Sequence, residues 1–239
     1  MSLLLGYNIH RDSLESIDLN KTKVINTINP HSYCMAKNDK LFKTALKKSD
    51  ILLPDGIGIV WAERVLNGQN IKKIAGYEMF MFLMQYLNKT SGRCFFLGAS
   101  KETLQKIEDK IEIDFPNVKV NSFSPPYKAK FSEKESLLMC QQVNSVKPDI
   151  LFVGMTAPKQ EKWVYNNIEK LEVNTVCSIG AVFDFYAGNV KRSGQFWISI
   201  GLEWLPRFLK EPKRLARRNL VSTPLFILEV LNKKFFSSS

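Results

Sequence analysis

The chain has 239 residues, 45% of them hydrophobic, and its 34 Lys and Arg outnumber 23 Asp and Glu for a formal charge of +11. A core of useful size forms at that length without a disulfide or metal staple. Cys34, Cys94, Cys140 and Cys177 are far apart and make no C-x-x-C pair, which argues against a secreted disulfide scaffold and for a reducing compartment.

In chain order, Met1 to Tyr7 has neither a basic n-region nor a small-residue cleavage site, so no signal peptide is expected. No run reaches the roughly 18 apolar residues of a membrane span, so the chain is expected not to cross a membrane. Lys23 to Thr27 and Ile51 to Leu53 are strand candidates around a helix from about Tyr33 to Lys47. After Gly58, the residues Ile59, Val60, Ala62, Val65 and Leu66 follow a helical pattern. Arg93 to Leu97 is a buried-strand run, and Ser100 caps a predicted helix to Ile113 with Leu104, Ile107 and Ile111 on one face. Val118 to Phe123 is the next strand, Pro125-Pro126 breaks the chain, and Ser132 with Glu135 forms a capping box for a helix through Val143. Asp149 to Gly154 and Thr175 to Ile179 are further strands.

This alternation predicts an α/β fold, a Rossmann-like mostly parallel sheet flanked by helices, over residues 1–190. Beyond it the composition changes. From Lys191 to Ser239, ten Lys and Arg stand against three Glu, interleaved with Leu, Phe and Trp and divided by Pro206, Pro212 and Pro224. Residues 191–239 read as a basic, amphipathic helical appendage. A membrane-surface segment and an ordinary helix packed on the body fit that pattern equally.

In such sheets ligands bind beyond the carboxyl ends of the strands. Four stretches there carry candidate chemistry. In Leu53-Pro-Asp-Gly-Ile-Gly58, Gly56 and Gly58 let backbone amides approach an anion at a helix start, and Asp55 is either a general base or a helix cap. In Gly154 to Glu161, Pro158 suits a first helical turn, and Gln160 offers a donor and an acceptor for a sugar hydroxyl or is merely solvated. In Gly180 to Gly188, the flanking aromatics make Asp184 a packing residue. Arg207, Arg214, Arg217 and Arg218 form an arginine series, the first three spaced for one helical stripe interrupted by Pro212, and the series suits either phosphate or a solvated face. Two histidines and no D-x-D give no metal site, and no G-x-G-x-x-G or Walker loop indicates a bound cofactor.

Together these stretches resemble the WecG/TagA/CpsF glycosyltransferases, family 26. The matching runs are Thr27-Ile-Asn29, Ile51 to Ala62, Phe95 to Ser100, Val153 to Trp163, Gly180 to Arg192, and Gly201 to Arg207 with Glu211 to Arg214, in family order. The resemblance implies an inverting, metal-independent transfer from a UDP-sugar to an undecaprenyl-diphosphate-linked sugar in cell-surface polysaccharide or teichoic acid synthesis. The donor would be of N-acetylmannosamine, uronic acid or glucose type. Asp55 would be the base; Thr27, Asn29 and Gln160 would line the sugar and nucleotide pocket; Arg207, Arg214 and Arg217 would hold diphosphate. Lys73 and Glu78 stand where the family usually has Arg and Asp, which puts a bidentate contact at Lys73 in doubt. The implied location is cytoplasmic, on the inner face of the membrane, with the appendage on anionic lipid. A homo-oligomer is a further candidate partner. The rival reading from charge alone is an anionic-lipid or nucleic-acid binding module without catalysis. No nucleic-acid motif supports it, so nucleic acid is not an expected partner.

Overall fold

The computed structural model describes residues 3–194, 197, 204–210 and 212–236; the side chains of Arg207, Lys210, Arg214 and Arg217 lie outside the described set. The apolar runs form the strands β1 (Val24–Ile28), β2 (Ile51–Pro54), β3 (Arg93–Gly98), β4 (Lys119–Phe123), β5 (Ile150–Gly154) and β6 (Thr175–Ser178). All pair in parallel, in the order β2-β1-β6-β5-β3-β4. The middle strands β5 and β6 are buried almost end to end, while β4, at an edge, is not. Continuous apolar sequence in the former follows from cover on both faces.

One face packs Ile25, Cys94, Phe96, Phe152 and Cys177 against helices α4 (Gly76–Thr90), α5 (Lys101–Asp114) and α8 (Val182–Tyr186). The other packs Phe95, Leu97, Leu151, Val153 and Val176 against α6 (Glu133–Asn144) and α7 (Lys159–Asn167). At the β2 end, Ile28 and Leu52 pack with α1 (Pro30–Asn38), α2 (Lys40–Lys47) and α3 (Ile57–Asn67). The Rossmann-like core expected from the alternation is present. Cys94 and Cys177 are buried free thiols, and burial pushes both up from the ordinary thiol range.

Two differences from the sequence reading have physical causes. The single helix expected from Tyr33 to Lys47 is two, because Asp39 takes an extended conformation and caps α2 through the Phe42 N–H at 3.0 Å. Asp39 also pairs with Lys162 on α7 at 2.8 Å, which draws the break toward the body. Helix α4 was not predicted at all. Its apolar residues Met79, Phe80, Leu83, Met84 and Leu87 are helically spaced and all buried, and Glu78 closes its N-terminus by accepting the Ala75 N–H at 3.1 Å.

The C-terminal segment runs through α9 (Trp204–Lys210), α10 (Pro212–Ala216), a π-helical stretch Arg217–Ser222 and α11 (Thr223–Phe236). It is not packed apart from the sheet domain. Phe226 and Val230 are fully buried in the cluster with Ile28, Leu52 and Ile59, and the Phe226 ring meets Tyr33 edge-on at 5.2 Å. Glu229 accepts the Tyr33 hydroxyl at 2.7 Å and pairs with Lys37 at 2.6 Å.

Phe80 lies among the rings of Phe96, Phe152 and Tyr186 at 4.9–6.2 Å. Phe80→Ala removes this hub and leaves a cavity under α4. We expect a loss of about 3–5 kcal/mol of stability, measured by urea unfolding.

Candidate functional site

Strand register makes the first contact of the site. β1 and β2 align Thr27 with Leu53 and Ile28 with Pro54. The ladder runs one step further, the Asp55 N–H donating to the Ile28 carbonyl at 2.9 Å. Asn29 thereby stands beside Asp55, and its Nδ2 donates to the Asp55 carboxylate at 3.2 Å. The Asn29 Oδ1 is already committed to the α1 capping box, accepting the Ser32 N–H at 3.0 Å. The amide is therefore pinned with its donor end toward Asp55.

Asp55 is not the N-cap residue of α3. Gly56 is the N-cap residue of α3, at φ +96°, a conformation that favours glycine. Asp55 and Gly56 instead line a cavity of about 980 Å³.

That cavity takes residues from the loop after every strand: Thr27 and Asn29, Asp55 and Gly56, Gly98 to Lys101, Ser124 to Tyr127, Gly154 to Ala157, and Ile179 to Phe185. Gly98 pairs with Gly154, and a Cβ on Gly98 would lie 2.4 Å from the Gly154 carbonyl oxygen. A Cβ on Gly154 would lie 2.4 Å from the Phe183 ring. The α5 N-terminus opens on the cavity through Ser100, Lys101 and Thr103, with Ser100 Oγ accepting the Thr103 N–H at 3.2 Å. A helix start beside a lysine favours an anionic group.

The sequence-predicted residues divide. Thr27, Asn29, Asp55, Gly56 and Gln160 come together around the cavity. Gly58 does not line it: a Cβ there would sit 2.7 Å from Pro30 Cγ and 4.0 Å from Phe226, so this glycine lets α3 pack against α1 and α11. Lys73 is not among the cavity residues either; its neighbour Ile74 runs beside Pro54, donating to that carbonyl at 3.0 Å. Glu78 pairs with Arg192, whose guanidinium lies 4.4 Å over the Tyr77 ring. The side chains of Arg207, Arg214 and Arg217 lie outside the described residues.

Of the arginine series, Arg218, with Trp204, Leu215 and Asn219, brings the C-terminal segment to the cavity. Sequence reasoning missed other lining groups. Asp184, read as a packing residue, also lines the cavity. Glu161 is only 3% exposed and also lines it. Burial pushes its carboxyl up to about 7, against smaller lowering by hydrogen bonds from Gln160 and its own backbone. A carboxyl on the sheet-facing side of an amphipathic helix start was the available signal.

A second hollow, of about 510 Å³, lies at the amino ends of the strands around Lys23, Asp149 and Asn174. Its polar groups serve the fold: Lys23 Nζ donates to the Val173 carbonyl at 2.5 Å, and Asp149 accepts the Arg93 N–H at 2.8 Å. Ligand crevices of parallel sheets lie at the opposite end.

Fold and site thus define a Rossmann-like α/β protein with one large cavity at the carboxyl edge of its sheet, holding a positioned aspartate. The profile of the Glycosyl transferase WecG/TagA/CpsF family matches residues 4–239, and the chain belongs to that family. It is accordingly a glycosyltransferase. It is 34% identical over 224 residues to the N-acetylglucosaminyldiphosphoundecaprenol N-acetyl-beta-D-mannosaminyltransferase of Bacillus subtilis (strain 168), covering 92% of this chain and 85% of that one. Proteins of the same name match from Bacillus spizizenii (30%, covering 90% and 81%) and Staphylococcus aureus strain MW2 (26%, covering 87% and 79%).

Because Gly58 serves packing, Gly58→Ala should cost about 1–3 kcal/mol by overpacking Pro30. Urea unfolding measures that loss, and calorimetry should find ligand affinity of the folded variant unchanged.

Proposed function

We propose that this chain transfers a sugar from a UDP-sugar to an undecaprenyl-diphosphate-linked acceptor, with inversion and without a metal. The observation that carries the reading is Asp55 on the cavity wall, its carboxylate oriented by Asn29. Asp55 takes the proton of the acceptor hydroxyl as that oxygen forms its bond to the anomeric carbon. The bond from that carbon to the diphosphate oxygen breaks on the opposite face, and UDP leaves with the electron pair. The departing charge is met by Lys101 at the α5 N-terminus and by Arg218, which line the cavity; for Arg207, Arg214 and Arg217 a hold on the diphosphate is what the family resemblance implies. Gln160 and Thr27 hold the donor. The names of the related enzymes point to N-acetylmannosamine as donor sugar and N-acetylglucosaminyl-diphosphoundecaprenol as acceptor.

Such an acceptor keeps its lipid in a bilayer, and the surface beyond the cavity suits one. Leu225, Leu228, Phe235 and Phe236 on α11 are exposed beside Lys233 and Lys234. No helix among the described residues is long and apolar enough to cross a membrane. We place the enzyme on the cytoplasmic face, with α11 lying on anionic lipid.

Asp55→Asn should keep UDP affinity and lower turnover by about 10² to 10⁴. A panel of UDP-sugars with a synthetic lipid-diphosphate acceptor, read by mass spectrometry of the product, tests both the base and the donor. Wild-type turnover in the variant would remove Asp55 from the role. Leu225→Glu with Leu228→Glu should reduce sedimentation with vesicles of anionic lipid several-fold while leaving UDP affinity intact.

A further inference from the structure

Gln160 and Glu161 stand next to each other at the start of α7, and both are nearly inaccessible to solvent. The Gln160 Oε1 accepts the Met155 N–H at 3.2 Å. Its Nε2 donates one hydrogen to Glu161 Oε1 at 2.9 Å. Among the described residues Nε2 has no other acceptor, so its second hydrogen is the group Gln160 offers to the cavity. The other carboxyl oxygen, Glu161 Oε2, is buried with no hydrogen-bond partner among the described residues. A terminal amide reverses its donor and acceptor ends by a half-turn, and only its neighbours choose between them.

We propose that Glu161 is a positioning residue: a buried carboxyl that fixes the Gln160 amide with its N–H toward the cavity, where it meets an acceptor oxygen of the donor nucleotide-sugar. The proposal rests on the reading of the cavity as a UDP-sugar site and deepens it. An ionised carboxylate at this depth requires a cation or several donors. Neither is near. The charges on the elements packed around α7 are balanced among themselves or turned to solvent. Asp39 pairs with Lys162, and Glu135 with Lys128. Lys159 reaches the Lys128 carbonyl and the Phe131 ring. Lys40, Lys43 and Lys47 on α2, Glu133 and Lys134 on α6, and Glu169 and Lys170 after α7 are exposed. β6 contributes only Thr175, Ser178 and the buried Cys177. The sign of the resulting linkage is definite: the folded carboxyl, at about 7, lies above its ordinary 4.5. The stability it supports is therefore full below about 4.5 and lost as pH rises through about 7.

Five proteins test this: wild type, Glu161→Gln, Glu161→Ala, Gln160→Ala and the double variant Gln160→Ala with Glu161→Ala. Carbon-13 NMR of the glutamate carboxyls, assigned by difference from Glu161→Gln, should find a midpoint near 7; a midpoint near 4.5 overturns the neutral acid. Glutamine at 161 presents the same carbonyl acceptor and cannot ionise. Glu161→Gln should keep the donor KM within about twofold and flatten the pH dependence of KM between 6 and 8.5. Glu161→Ala should raise donor KM by about tenfold, the worth of one oriented hydrogen bond, with little change in kcat. In the Gln160→Ala background the Glu161→Ala change should add nothing further. Additive effects, or an equal KM increase in Glu161→Gln, overturn the proposal. If the wild type binds no UDP, the donor reading fails separately. The NMR midpoint, and the hydrogen-exchange protection of the Gln160 side-chain amide in unliganded protein, then still decide the role of Glu161. Loss of that protection in Glu161→Ala alone supports it, and unchanged protection overturns it.

Discussion

The site depends on the alignment of two neighbouring strands. Pairing Ile28 with Pro54 brings Asn29 next to Asp55, and a slip by one residue would turn both side chains to the wrong side of the sheet. The alignment is enforced by burial. Ile25, Ile28, Leu52 and Leu53 are all inaccessible, split between the two covered faces, so any other register would carry them out of their clusters. The energy that fixes the carboxylate is thus mostly hydrophobic, and the hydrogen bond from Asn29 is a local refinement.

The same logic extends to the rest of the cavity. Much of the wall comes from residues at or just after strand ends, placed by a ladder that the core has already determined. Helix α1 links this to the C-terminal segment. Its first turn caps on Asn29, while Tyr33 and Lys37 further along hold Glu229 of α11. His31 also meets Ser222 at 2.8 Å. One short helix therefore supports both the oriented carboxylate and the segment that carries Arg218 into the cavity.

Much of this was legible in the amino acids. All six strands could be read, most of them because buried parallel strands are short apolar runs bounded by glycine, proline or polar residues. Ser100 and Ser132 announced α5 and α6 by their caps. Helix α4 went unread although its spacing is regular, since Ala75 stands at its N-cap where a Ser, Thr, Asp or Asn would announce a helix start. Asp55, Asn29, Thr27 and Gln160 were found because strand ends can be located from sequence. Gly58 was misjudged: a glycine needed for helix approach and one needed for a ligand look alike until the partner, here Pro30, is known. Glu161 depends on helix phase, and only tertiary packing puts a carboxyl on the covered side.

The contact between Gly98 and Gly154 has an evolutionary consequence. A Cβ on Gly98 would lie 2.4 Å from the Gly154 carbonyl oxygen and one on Gly154 2.4 Å from the Phe183 ring, so neither position accepts a larger residue without displacing its neighbour. Drift in the cavity lining is therefore expected at other positions, such as the segment from Ser124 to Tyr127.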